Sequence, residues 1–294
     1  MPSVSQGAAA GIGIGCAIAG AVIVLAVFLL PRVFRRRPKR KSLIPLHITS
    51  HTSGVLDDLP QAIAHEELKR EFSQIETQIK NFVSNFFQLQ SVSAKDIDDD
   101  KLRTLMGTGG GGTGNIQWST QLRDKSTRSV MLRSYVARVL LTHIDPRGVA
   151  DTSLLPTDMV RCYQAALIGK GQSRSPQLLE YWRSMTAFLI SKQYPQDKLA
   201  HEDPRLDNIK RVVADLLDVL QPFRNSKSEG RAYELLETIA VSAALLGLKL
   251  FAETNPVEIV WPPASGGQIA TFPALRQQRL KEGRKITIKR ASFD

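Results

Sequence analysis

Cysteine is nearly absent: the 294 residues hold only Cys16 and Cys162. That excludes a disulfide-stapled secreted domain and any zinc site built from cysteines alone. No Asn-x-Ser/Thr sequon occurs, because Asn81, Asn85, Asn115, Asn208, Asn225 and Asn255 all fail the pattern. No G-x-x-x-x-G-K-[ST] loop, G-x-S-x-G elbow or kinase-type motif set is present. Acid is missing from residues 32–41, which carry seven cations, and nearly missing from 276–290, where seven cations face Glu282 alone. Those two segments account for the net charge of +11, and the remainder of the chain stands at −2. With 43% hydrophobic and 23% charged residues, the chain has the composition of a core-forming protein, not of a disordered or fibrous one.

Charge is also missing from residues 8–30, AAAGIGIGCAIAGAVIVLAVFLL. As a helix these 23 residues span about 34 Å, slightly more than the ~30 Å hydrocarbon core. The preceding MPSVSQG lacks the positive region of a secretory signal, and the run ends in a basic stop-transfer pattern. The sequence therefore predicts a single N-terminal transmembrane helix. Arg32, Arg35, Arg36, Arg37, Lys39, Arg40 and Lys41 form a membrane-flank cluster directly behind it. By the positive-inside rule this cluster keeps the following chain cytoplasmic and sends the N-terminus to the lumen or exterior. The same cations are expected to meet anionic lipid headgroups, a use that outweighs the likeness of RRRPKRK to a nuclear-localisation patch. Gly11 and Gly15 make a small-xxx-small pair that offers a face for helix association.

The expected organisation is a short tail (1–7), the anchor (8–30), a basic flank and linker (31–57), a helical cytosolic domain (58–255) and an irregular basic tail (256–294). Its clearest helix carries Leu68, Phe72, Ile75, Ile79, Phe82, Val83 and Phe86 at helical period. That stripe is too short and too aromatic for a coiled-coil seam, and points to packing inside a domain. Ser93 and Asp96 predict a capped start for a helix through Met106, followed by a flexible glycine tract at 107–114. Further helices are expected at 124–143, 156–168, 176–191, 204–220 and 226–252, each bounded by a turn, a proline or a capping residue. Thr238 to Leu248 is almost wholly apolar but only 11 residues long, and predicts the central core helix. The fold class is therefore an anchor followed by an all-α domain of about seven helices. Prolines and glycines break the tail, and KITIK at 285–289 alternates like an edge strand without an evident partner.

No residue pattern specifies catalysis. Gly107, Gly109 and Gly112 satisfy G-x-G-x-x-G, but a helix precedes them and no helical period follows, so the tract is a linker. Asp96, Asp98 and Asp100 mimic the start of a calcium loop, yet Lys101 and Gly107 stand where the turn glycine and the bidentate glutamate belong. Their place in a helix's first turn is explanation enough. The five histidines are dispersed, with His47 and His51 incidental neighbours in the linker. Cys162 is expected to be a buried structural thiol. The tail cations lack interleaved aromatics, so solubility or lipid contact is favoured over nucleic acid. Neither cofactor nor metal is implied.

Three stretches, IETQIKNFVSNFFQ, YWRSMTAFLI and FPALRQQRLKEGRKI, together with the N-terminal anchor, resemble uncharacterised single-pass membrane proteins of filamentous fungi. The likeness covers most of residues 67–285 and implies a similar helical domain, and it brings no activity to any residue. The expectation is a membrane-tethered interaction or adaptor protein with an unknown protein partner. The alternative is a membrane enzyme or lipid-handling protein whose site no spacing reveals.

Overall fold

The structure, a computed structural model, describes residues 63–87, 91–106, 116–168, 176–225, 229–263, 269–279 and 284–293. The apolar run 8–30 with Gly11 and Gly15, the basic cluster Arg32 to Lys41, His47, His51 and the glycine tract lie outside these residues. The described chain is mostly helical, with eight α-helices and two small sheets.

Helix α1, His65–Phe86, buries the whole stripe that its spacing predicts, Leu68 through Phe86, and leaves its charged residues outside. Each large side chain so buried contributes roughly 1.5–3 kcal/mol. Next come α2 (Asp99–Met106), α3 (Trp118–Arg123), α4 (Arg128–His143), α5 (Thr157–Ile168), α6 (Pro176–Leu189), α7 (Arg205–Val219) and α8 (Glu229–Ala252). The eighth helix beyond the expected seven is α3, whose six residues bury only Trp118 and Leu122, too few to show a period. Its last carbonyls are closed by the buried Arg128 guanidinium, which donates to Leu122 O and Arg123 O at 2.7 and 2.8 Å.

Helix α8 is the central element, packed against α1, α4, α6 and α7. Although the stretch Gly230–Ala252 is long and apolar enough to cross a membrane, 56% of its most apolar window is buried inside the body. That is the behaviour of a core helix, as 238–248 predicts. Its small residues allow close approach: a Cβ on Gly247 would stand 2.7 Å from Ile144 Cβ. Outside the apolar seam, Lys249 reaches back to Glu67 and Glu71 on α1.

Residues beyond 256 correct the all-α expectation and the irregular tail. Strands β1 (Val257–Val260), β3 (Ala274–Arg279) and β4 (Arg284–Lys289) form an antiparallel sheet in the order β1-β3-β4. A second pair joins β2 (Ala270–Phe272) to β5 (Ser292–Phe293). The partner of KITIK is thus ALRQQR, whose alternation is hidden because Gln277 occupies a buried position below Leu275. The Gln277 amide is satisfied there, its Oε1 lying 2.6 Å from His65 Nε2. Phe272 meets Phe72 of α1 at 4.7 Å, and Lys289 pairs with Glu76 of α1 at 2.8 Å. Lys285 pairs with Glu258 on β1, so two of the tail's cations face acids within the domain. Arg138 of α4 is buried with its guanidinium 3.9 Å from the Trp261 ring and 5.9 Å from the Trp118 ring. Burial pulls it down to about 10.

Candidate functional site

Three separated segments build one groove. At the start of α2, Asp98 caps the helix by accepting the Lys101 N–H at 3.0 Å. Ser119 on α3 donates to Asp99 at 2.8 Å, which fixes the turn from the other side. The body of α2 is held on α4 by buried Leu102 and Met106 and by the Tyr135 hydroxyl, which donates to Leu102 O at 3.0 Å. Asp98 and Asp100 are then left on the open side. Opposite stands α7, where Val212, Asp215 and Val219 share a face and Asp218 lies beside them. The end of α4 and the turn after it close the third side with Thr142, His143, Gly148, Val149 and Thr152. Glycine at 148 keeps this turn tight, since a Cβ would stand 3.2 Å from Asp145 O and Thr142 O and they would have to give by a few tenths of an ångström.

The space enclosed is about 630 Å³. Around it stand four aspartates and one lysine, over Leu105, Val212 and Val219. Lys101 Nζ is held by Asp218 Oδ2 at 2.8 Å, and that hydrogen bond, followed by the Asp218 charge, raises its pKa. Both partners are solvent-exposed, so the pair adds little to stability. His143 Nδ1 lies 2.7 Å from Val139 O and is therefore the protonated nitrogen, leaving Nε2 as an acceptor. Burial lowers the His143 pKa, while the Val139 carbonyl and Asp215 act to raise it. The net direction keeps the imidazole neutral at pH 7.

A second polar cluster lies at the far end of α8. Arg183 and Glu180 of α6 form an ion pair with side chains only 7% and 13% exposed. Arg183 also donates to Glu253 O at 3.0 Å and lies over the Phe251 ring. The Glu253 carboxylate accepts the Ile63 N–H at 2.8 Å and meets Gln277 Nε2 at 3.5 Å. Burial pushes Glu253 above the usual carboxylate range, against the pull of Ile63, His65 and Arg183. Arg183 of α6 and Gln277 of β3 therefore both meet Glu253, the first at its backbone carbonyl and the second at its carboxylate.

Among the residues singled out from sequence, His143 lines the groove with Asp98 and Asp100, while Asp96 sits in a 3-10 turn capped by Ser93. The capped start at Ser93 thus belongs to that turn, and α2 begins later, behind Asp98. His65 is tied to Gln277 and His201 is exposed. Cys162 is exposed, which corrects the buried-thiol expectation: α5 turns Met159 and Val160 inward and puts Cys162 on its outer side. Asp215, Asp218 and Glu253 escaped the sequence reading. For the first two, the i, i+3 spacing beside Val212 and Val219 was the available signal; Glu253 offered none. No group of three metal-ligating side chains occurs among the described residues. No family model, curated protein or solved structure matches the chain.

Proposed function

We propose that the chain is a membrane-tethered helical adaptor whose body receives a cationic, amphipathic segment of a protein partner in the groove between α2 and α7. In this reading residues 8–30 anchor the chain, and the seven cations at 32–41 keep residues 31–294 on the cytoplasmic face. The observation that carries it is the groove's composition, four aspartates against one lysine over an aliphatic floor. Such a surface suits a partner with lysine or arginine at its edges and leucine-like side chains between them. An enzyme would need a nucleophile or base held against His143, and among the described residues the ring hydrogen bond of His143 goes to the Val139 carbonyl instead.

The test is anisotropy of a labelled Lys/Leu amphipathic peptide titrated with the full chain in nanodiscs, beside a Glu/Leu peptide of equal length. The Lys/Leu peptide alone should bind, and Asp98→Asn with Asp215→Asn should weaken it about tenfold, roughly 1.4 kcal/mol. Equal binding of both peptides would sink the reading. The sign of the pH dependence follows from His143. Its pKa lies below the ordinary 6.5, so it stays neutral on acidification to that point and gains charge only below it. Peptide binding should hold from pH 8 to about 6.5 and fall below, and His143→Asn should lessen the fall. Orientation is read separately, by protease protection of terminal tags on sealed microsomes: a protected C-terminal tag would overturn the topology.

A further inference from the structure

Helix α6 is built the opposite way round from an ordinary surface helix. Its fourteen residues contain two charges, Glu180 and Arg183. Both are turned into the body and paired with each other. Ser184 and Ala187 are buried on the same inward side. The outward side carries Leu178, Tyr181, Phe188 and Leu189, exposed by 60%, 46%, 46% and 70%. At about 100° per residue these four and the half-buried Met185 fall within an arc of roughly 100°. Ile168 at the end of α5, the helix that packs beside α6, is 85% exposed. Of seven large hydrophobic side chains exposed among the described residues, five belong to these two helices. A concentration of that kind marks an interaction surface.

We propose that the outer face of α6, with Ile168, docks into the interfacial layer of the bilayer to which the chain is tethered; this rests on the anchor reading above. Two observations select lipid as the occupant. Among the described side chains the outward arc presents no charge, and its polar group is the Tyr181 hydroxyl, with the half-buried Thr186 outside the arc. Protein interfaces of useful size need about one hydrogen bond per 100–200 Å², which this face does not supply. An aromatic ring with a single hydroxyl among aliphatics is the composition favoured at the lipid–water boundary. The second observation is where the tether arrives. The chain joins the described body at Ile63, whose N–H is held by Glu253, and the carbonyl of the same Glu253 is held by Arg183 of α6. The tether therefore reaches the described body beside α6, at Arg183 on the inward side of that helix. Between Lys41 and Ile63 lie 21 residues, at most about 75 Å fully extended. A surface so confined meets the bilayer at high effective concentration, so a modest affinity suffices.

The experiment uses the full chain in phosphatidylcholine/phosphatidylserine vesicles, with Cys16 and Cys162 changed to serine and one new cysteine carrying an environment-sensitive dye. The dye sits at Leu189→Cys on the outward face, or at Lys69→Cys on the solvent side of α1 as reference. Nitroxide-labelled lipid should quench the dye at 189 at least threefold more than the dye at 69. Equal, weak quenching at both positions in chains that resist carbonate extraction overturns the docking and leaves the anchor standing. Loss of the chain to the carbonate supernatant overturns the anchor reading, and the docking with it. Shielding of the dye at 189 from iodide without lipid quenching identifies a protein occupant, a second copy included, and also overturns it. Adding Leu178→Ser and Phe188→Ser to the Leu189→Cys chain should bring its quenching down to the level at 69.

Discussion

Helices α1 and α6 are both amphipathic and both lean on α8, yet they use their two faces oppositely. In α1 the stripe from Leu68 to Phe86 is buried and the charges face out, some of them clasping Lys249 of α8. In α6 the charges are buried as a pair and the apolar residues face out. The first arrangement draws its stability from apolar area removed from water. The second sets a desolvated ion pair beside the inward packing of Trp182 and Ala187, a pair worth little in itself but costly to break by halves. An amphipathic period therefore locates a helix without saying which face is the core.

Substitutions that attack each helix through its own buried side separate the two designs. Phe82→Ala in α1 should cost the most, about 4 kcal/mol in urea unfolding, since the ring is fully buried and meets Phe86 and Phe87. Arg183→Met in α6 should cost about 3 kcal/mol by leaving the Glu180 carboxylate buried and unpaired, and the added change Glu180→Leu should recover part of it. A double variant no better than the single one would mean that the bond to Glu253 O, not the pair, holds α6 in place. On α8, which supports both, Gly247→Ala should lose about 2 kcal/mol because the added methyl meets Ile144. Leu178→Ser on the outward arc should shift stability by no more than about 0.5 kcal/mol. A loss near that of Phe82→Ala would show the arc to be core, and would erase the contrast with α1.

Much of the helical scaffold is legible in the sequence because its cues are local. The α1 stripe is complete, α5 and α7 fall where their flanking prolines place them, and α8 stops before Asn255-Pro256. What escapes depends on distant partners. The outward turn of α6 is hidden because Glu180 and Arg183, three residues apart, look like a solvent-side pair until Glu253 and Phe251 cover them. The sheet is hidden because Gln277, a polar residue, fills an inward strand position and finds its partners in His65 and Glu253. The groove draws its acids from residues 98–100 and 215–218, and no spacing rule spans such a gap. Cys162 was misplaced for a related reason, since α5 buries a narrower side than its composition implies.

The meeting of first and last elements sets a timetable for synthesis. Phe72 finds Phe272, Glu76 finds Lys289, and His65 finds Gln277, contacts that span some two hundred residues of chain. At about 5–20 residues per second, the ribosome needs roughly 10–40 s to make that stretch. Within that interval α4 and α8 are already made and can pack on α1, which lacks only the strand contacts at Phe72 and Glu76. Chains ending before residue 284 should accordingly protect α1 from protease less well than the full chain, with the difference centred on Phe72 and Glu76.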